Sequence, residues 1–112
     1  MSITVTVIDG VSGRPAEGVV VAIVGQPAGE QPLRLHGFTD AKGEFAYSPA
    51  ADQQSNGQCY IVELDVDAYF ASLGMMAGYK QIAISVRVFD TRADYRMGAL
   101  ITPFAHATWS IR

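Results

Sequence analysis

The stretch Gln81-Ile-Ala-Ile-Ser-Val-Arg-Val-Phe89 places a branched apolar residue at every second position. Successive side chains of a β-strand point to opposite faces, so this period of two predicts a strand with one face against a core. The other face of the strand carries smaller or polar side chains until its last residue. Because one strand cannot form a core alone, further strands are expected on both sides of it in the chain.

Runs of the same kind recur along the chain, separated by Gly, Pro, Asp and Asn. Residues 18–24 are nearly all apolar, which predicts a strand covered on both faces. Turns or loops are predicted at residues 9–15, 25–32 and 48–57, the last being the most mobile, and a hairpin turn at 40–43. The predicted strands are residues 3–8, 18–24, 33–39, 44–47, 59–66, 81–89, 95–101 and 104–111.

The period changes once, at residues 67–74, where an apolar and aromatic stretch lies between Asp67 and Gly74. Asp is a common helix N-cap and Gly a common helix stop, so this segment predicts one short helix of about two turns. Seven or eight strands with a single helix predict an all-β fold, a two-sheet antiparallel sandwich. The chain is short enough that residues 1–112 form a single domain.

Composition excludes several classes of function. Lys and Arg number 8 against 11 Asp and Glu, so the net charge is −3, and no basic cluster predicts binding to nucleic acid or to an anionic membrane surface. No apolar run reaches the length of a membrane span, and the opening residues lack a signal peptide pattern, which predicts a cytoplasmic protein. Hydrophobic residues make up 49% and charged residues 17% of the chain, which favours self-association.

Five segments, in order along the chain, resemble the transthyretin family. They are Val7-Ile-Asp9, Gly13-Arg-Pro-Ala16, the hairpin Thr39-Asp-Ala-Lys-Gly43, the helix Asp67-Ala-Tyr-Phe70 with Leu73-Gly74, and Ala99-Leu-Ile-Thr-Pro-Phe104. The family includes the hormone carrier transthyretin and the purine-catabolism enzyme 5-hydroxyisourate hydrolase. The resemblance implies a transthyretin-like sandwich that dimerises through edge strands and pairs into a homotetramer, with a channel between the two dimers.

The resemblance also implies where the hydrolase would carry its catalytic groups. These are a histidine on the first strand, an arginine after the Asp-x-x-Gly hairpin, a histidine on the penultimate strand and a carboxyl-terminal Tyr-Arg-Gly-Ser. In this sequence the four positions fall on Thr6, Glu44, Arg96 and the ending Trp109-Ser-Ile-Arg112. None of the hydrolase's acid and base groups is retained, so ordinary hydrolysis of 5-hydroxyisourate is predicted to be weak or absent.

Strand alternation predicts which side chains share a surface. In residues 94–101 the bulky apolar set should face the core, which leaves Arg96, Gly98 and Leu100 on the outward face that lines the family's channel. The predicted catalytic set is Glu44 as the base that activates water, Arg96 as the oxyanion stabiliser and Thr6 as an orienting hydroxyl. The predicted ligand-binding set is Ile8, Gly98, Leu100, Ala107, Trp109 and Arg112.

Two functions remain open for this channel site. The first is a hydrolase acting on a cyclic, nitrogen-rich or purine-derived small molecule, and the second is a carrier that binds a flat ligand without changing it. Simpler roles for the residues also remain open. Glu44 and Arg96 could form a structural ion pair or stay solvated, and Trp109 could plug the channel or pack between subunits.

The histidines and the cysteine are predicted to stand outside this site. His106 falls on the face opposite Trp109, which favours an interface or core histidine, and His36 is expected on the surface. Cys59 opens an apolar strand with no adjacent cation in sequence, which favours an inert core thiol. One cysteine and two histidines are too few for a structural zinc site, so no metal or cofactor is predicted.

Overall fold

A computed structural model of the chain describes residues 1–25, 33–49 and 57–111. In these residues nine strands and one helix form in a sequence order close to the predicted one. The strands are β1 (Ser2–Asp9), β2 (Arg14–Pro15), β3 (Val20–Gly25), β4 (Leu33–Phe38), β5 (Glu44–Tyr47), β6 (Cys59–Asp65), β7 (Gln81–Arg87), β8 (Asp94–Ile101) and β9 (His106–Ile111), and the helix is α1 (Val66–Ser72).

Two sheets pack face to face, as predicted. The five-stranded sheet has the order β2-β1-β8-β9, with β5 also pairing with β1, and the four-stranded sheet has the order β4-β3-β6-β7. Every described strand pair is antiparallel except β1 with β8, which is parallel and brings the first strand of the chain beside the penultimate one. This long-range pairing places strands β5, β1, β8 and β9 side by side.

Alternation along the strands decides the core. In β1 the residues Ile3, Val5 and Val7 are fully buried, while their neighbours are half-buried. The bulky set predicted for β8 is also buried: Tyr95, Met97, Ala99 and Ile101. The prediction that β3 is covered on both faces also agrees with its burial, because Val21, Ala22 and Ile23 are consecutive and all buried. One inter-sheet core therefore leaves the outward face of each sheet available for other contacts.

Two local predictions need correction. The N-cap of the helix is Asp65, whose Oδ1 accepts a hydrogen bond from Ala68 N at 3.0 Å, so Asp67 lies in the first turn instead of capping it. Gly74 does end the helical segment, with a φ of 76°. The predicted turn at 9–15 contains the two-residue strand β2, which raises the strand count to nine. The predicted loops at 25–32 and 48–57 fall largely outside the described residues.

A buried carboxylate ties the end of β1 to the helix. Asp9 is only 4% exposed, and its Oδ1 accepts hydrogen bonds from Val11 N and Ser12 N at 2.8 and 3.2 Å. Its Oδ2 accepts a hydrogen bond from the Tyr69 hydroxyl at 2.8 Å. Burial, and then this hydrogen bond, raise the pKa of Tyr69 to about 12.

Within the described residues no helix has the length and apolarity to cross a membrane.

Candidate functional site

The outward face of the five-stranded sheet carries eight of the nine residues predicted for the site. Its register sets side chains in rows across four strands, because residues directly opposite each other in paired strands point to the same side. The middle row is Glu44 on β5, Thr6 on β1, Gly98 on β8 and Trp109 on β9. The flanking rows are Ala46, Thr4 and Arg96 on one side, and Ile8, Leu100 and Ala107 on the other.

Trp109 lies flat against the backbone of Gly98. A Cβ built on Gly98 would clash with Cε2, Cζ2 and Nε1 of the indole, so the ring occupies the space that any side chain at this position would take. A glycine within a strand often marks such a close approach. Gly98 is buried by this contact, whereas Trp109 remains 41% exposed. The indole therefore covers Gly98 and presents an aromatic surface at the β9 end of the middle row.

The turn between β4 and β5 fixes Glu44 at the other end of the middle row. Because β4 and β5 belong to different sheets, the hairpin predicted at residues 40–43 is instead a tight turn that joins the two sheets. Asp40 Oδ1 accepts hydrogen bonds from Lys42 N at 2.9 Å and from Glu44 N at 3.0 Å. The bond from the Glu44 backbone is the main reason that the pKa of Asp40 is lowered. Gly43 adopts a φ of 74°, which favours glycine, and its carbonyl accepts a hydrogen bond from Val7 N at 2.8 Å. The half-buried Glu44 is thus held opposite Thr6.

Glu44 and Arg96 share the outward face without forming an ion pair. Glu44 is opposite Thr6, while Arg96 is opposite Thr4, so the two charges are separated by the width of β1 and offset along it. In the described part of the chain the ion pairs join Arg34 to Glu63 and Arg92 to Asp90. Of the two simpler roles left open for these residues, an ion pair within the chain is therefore not formed. Both charges remain available to a molecule that spans the face.

The third row of the face is apolar. Ile8 is half-buried, Leu100 is 38% exposed and Ala107 is exposed. These side chains continue the surface of Trp109 along the sheet, so the face is apolar at one end and carries Arg96 at the other. Arg112, the remaining predicted ligand-binding residue, lies outside the described residues.

The histidines lie away from this face. His106 is opposite the buried Ile101, which confirms that it points away from the side of Ala107 and Trp109. It is exposed and its ring contacts that of Tyr79, with centroids 5.3 Å apart, so it is not a core histidine. His36 is exposed on β4 of the other sheet, as predicted.

Cys59 was predicted as a core thiol, and this prediction is wrong. The residue is half-buried, and the alternation of β6 puts it on the side opposite the buried Tyr60 and Val62. Arg87 is its direct neighbour across the β6–β7 pair. A cation is therefore adjacent in space although none is adjacent in sequence.

Two residues of the face were missed. Thr4 and Ala46 complete the row of Arg96, and the alternation of β1 and β5 already places them on the side of Thr6 and Glu44. The contact of the Trp109 indole with Gly98 was not predicted from the sequence either. A glycine in an alternating strand, together with the single Trp of the chain on the next strand, is the signal that could have indicated it.

Comparison with known proteins gives a consistent result. The family model described as HIUase/Transthyretin family matches residues 3–110. Sea bream transthyretin, solved in complex with thyroxine, is 25% identical to this chain; the match covers 97% of this chain and 93% of that one, with a TM-score of 0.83. Klebsiella pneumoniae 5-hydroxyisourate hydrolase is 23% identical, with full coverage of both chains and a TM-score of 0.79, which supports the shared fold.

Proposed function

The chain belongs to the HIUase/transthyretin family, and we propose that it acts on a flat, nitrogen-rich or purine-derived small molecule at the outward face of the five-stranded sheet. The observation that carries this proposal is the middle row of that face. The indole of Trp109 lies on Gly98 at one end of this row, and at the other end a tight turn holds the backbone of Glu44. A flat heterocycle stacks well on such an indole.

The chemistry proposed for this face is hydrolysis of a cyclic amide-type bond. Glu44 accepts a proton from a water molecule, and the water oxygen adds to the carbonyl carbon of the ligand. Arg96 stabilises the resulting oxyanion, and Thr6, between them, orients the ligand or the water through its hydroxyl. The intermediate collapses with cleavage of the carbon–nitrogen bond, and the proton held by Glu44 passes to the leaving nitrogen.

The separation of Glu44 from Arg96 is compatible with their different roles as base and oxyanion stabiliser. Arginine stays protonated at any working pH and a carboxylate paired with it becomes a weaker base. Because no ion pair joins the two side chains, Glu44 is not neutralised by Arg96. Arg96 and a water molecule bound to Glu44 can then approach the same carbonyl group from different sides.

The site is proposed to face a channel in a homotetramer. Strands β7 and β9 are outer strands of their sheets, and no described strand pairs with their outer edges, so a second copy could pair there. Two such dimers would then appose their outward faces around Trp109 and Leu100, which are large hydrophobic residues that remain exposed. Burial of these side chains accounts for the high apolar content of a chain this small.

A carrier function is the second candidate. The described part of the outward face contains no histidine, since His36 and His106 both lie elsewhere. The similar sea bream transthyretin is recorded in complex with thyroxine, a small-molecule ligand. A face built on Trp109 and Leu100 would then hold a flat ligand without altering it.

The decisive experiment follows the decay of freshly generated 5-hydroxyisourate by absorbance, with and without purified protein. Ordinary turnover of this compound is expected to be weak or absent, and a panel of cyclic ureides and imides is then followed by chromatography. Turnover lost in Glu44→Gln and in Arg96→Gln, and retained in the matched pair Glu63→Gln and Arg34→Gln on the other sheet, supports the hydrolase. Saturable binding with full recovery of unchanged ligand supports the carrier.

A further inference from the structure

The open edge of the sandwich carries two unlike features at its two ends. Strand β7 and strand β9 lie along this edge, each as the outer strand of its sheet. Gly78, just before β7, contacts Phe104, just before β9, so the two strands start at the same end. The residues that end β7 and β9 meet around a cleft at the other end, beside Ser85 and Ser110.

Phe104 protrudes from the first end. Its side chain is 77% exposed, although the turn that carries it is firmly held. Gly78 N donates a hydrogen bond to Pro103 O at 2.6 Å, and the Tyr79 hydroxyl lies 3.0 and 3.1 Å from the carbonyl oxygens of Thr102 and Ala105. The ring rests on Gly78 at a position where a Cβ would clash with it. A rigid turn therefore presents an uncovered phenyl ring.

The cleft at the second end has an apolar base. Val86, Tyr95 and Met97 are its buried lining residues, each at most 7% exposed, while Arg87, Arg96 and the exposed Phe89 line its rim beside Ser85 and Ser110. The Tyr95 hydroxyl accepts hydrogen bonds from Phe89 N and Asp90 N at 2.9 and 2.8 Å, which fixes the adjoining loop. The cleft volume is about 130 Å³. A cavity of about 150 Å³ accommodates benzene, so a phenyl ring is of the right size.

We infer that Phe104 of a second copy of this chain fills this cleft, and that Phe104 of the first copy fills the cleft of the second. A two-fold axis across the middle of the edge exchanges its ends, so it brings each protruding ring to the opposite cleft in a closed, self-complementary contact. The inference rests on the edge-strand association of the proposed function. It adds the pair of features that fixes the alignment of the two copies along the edge.

The first test measures self-association by sedimentation equilibrium. Phe104→Ala removes the ring from an exposed position, so the monomer fold is retained and the dissociation constant of the dimer should rise by at least about tenfold. Phe38→Ala, which truncates a phenylalanine 67% exposed on the other sheet, is the matched control and should leave the constant unchanged. An unchanged constant in Phe104→Ala overturns the inference while the assembly stands, whereas a monomeric wild-type protein overturns both.

The second test uses disulfide trapping in a Cys59→Ser background. Positions 104 and 110 lie roughly 20 Å apart along one extended chain, too far for an internal disulfide. The double variant Phe104→Cys with Ser110→Cys should therefore form a covalent dimer on mild oxidation. The pair Phe38→Cys with Ser110→Cys should remain monomeric on a non-reducing gel. A double variant that stays monomeric on that gel, while it sediments as a dimer, contradicts the proposed contact.

Discussion

The outward faces of the two sheets differ in how their charges are satisfied. On the four-stranded sheet, Arg34 Nη2 lies 3.3 Å from Glu63 Oε1, and Gln81 Nε2 donates to Glu63 Oε2 at 3.2 Å. On the five-stranded sheet, Glu44 and Arg96 share a face without pairing. Both faces carry acids and bases on a regular sheet. Among the described residues, the second face has an acidic and a basic side chain without an ion pair beside a half-exposed indole.

On the four-stranded sheet the charges of Arg34 and Glu63 are paired with each other, whereas on the five-stranded sheet the charges of Glu44 and Arg96 are open to a ligand. A surface ion pair contributes little to stability, so its main consequence is that its members are already engaged. In the part of the chain that the structure describes, Glu44 and Arg96 on the face of Trp109 have no ion-pair partner. Substitutions of similar residues on the two faces should therefore differ in their effects on ligand binding.

The largest effect is expected from Gly98→Val. The valine side chain would occupy the space above residue 98 that the indole of Trp109 fills, so the indole must move away from the sheet. Binding of a flat probe such as urate should weaken by about 100-fold, which corresponds to about 2.7 kcal/mol. Overpacking should also lower the free energy of unfolding by about 1–3 kcal/mol. Fluorescence titration of Trp109, the single Trp of the chain, measures the binding.

A double-mutant cycle gives the control for that prediction. Gly98→Ala should cost about 1–3 kcal/mol of stability in the wild-type background and close to nothing in Trp109→Ala, because the clash disappears with the indole. Equal losses of stability in the two backgrounds would show that the indole does not fill the space above Gly98.

Tyr69→Phe should affect stability alone and so separate stability from binding. It removes the hydroxyl that donates to the buried Asp9 carboxylate, at an expected cost of about 1–3 kcal/mol in urea unfolding. Because Tyr69 donates to Asp9 on the buried side of β1, opposite the side that carries Thr6 and Ile8, urate binding should stay unchanged. A parallel loss of binding would argue that the helix contributes to the site.

The same variant carries a pH signature. The folded pKa of Tyr69 is about 12, above the value of about 10 expected in the unfolded chain, so the unfolded state releases this proton first. The stabilisation by Tyr69 is therefore complete below pH 10 and declines between pH 10 and 12. The stability difference between wild type and Tyr69→Phe should shrink over this range, and a constant difference would contradict the assignment.

Neutralising the charges of the Trp109 face should have a smaller effect on binding. Glu44→Gln and Arg96→Gln should each weaken urate binding by about tenfold, since each removes one charge-assisted hydrogen bond of about 1.4 kcal/mol. The fluorescence titration used for Gly98→Val measures both. If neither substitution changes the affinity, the two residues are solvated surface charges and the contrast between the faces fails.

The smallest effect is expected on the other sheet. Glu63→Gln should change the free energy of unfolding by less than about 1 kcal/mol, because its ion pair with Arg34 is partly exposed. It should leave urate binding unaltered. A loss of binding in Glu63→Gln comparable to that in Glu44→Gln would remove the distinction between the two faces.

Sequence periodicity predicted most of the fold because the sandwich follows directly from alternation. Tyr95 and Met97 face the core and Thr6 faces outward, as the period of two requires. The N-cap was misassigned because Asp65 and Asp67 are both acids at the start of the helix, and the choice depends on which carboxylate meets a free backbone N–H.

The arrangement of the site was less predictable because it depends on pairing between distant strands. Alternation places Glu44 and Arg96 on outward faces, but the registers of β5 and β8 against β1 decide that they are offset. The contact of Trp109 with Gly98 likewise depends on the β8–β9 register. Neither the offset of Glu44 from Arg96 nor the contact of Trp109 with Gly98 can be predicted from neighbouring residues in the sequence.

The central claim is that the face around Trp109 binds a flat ligand, and its most direct test is the quenching of Trp109 fluorescence by urate. Saturable quenching is expected in the wild-type protein and in Glu63→Gln, and it should be lost in Gly98→Val. Absence of saturable quenching in the wild-type protein, or its persistence with unchanged affinity in Gly98→Val, would contradict it.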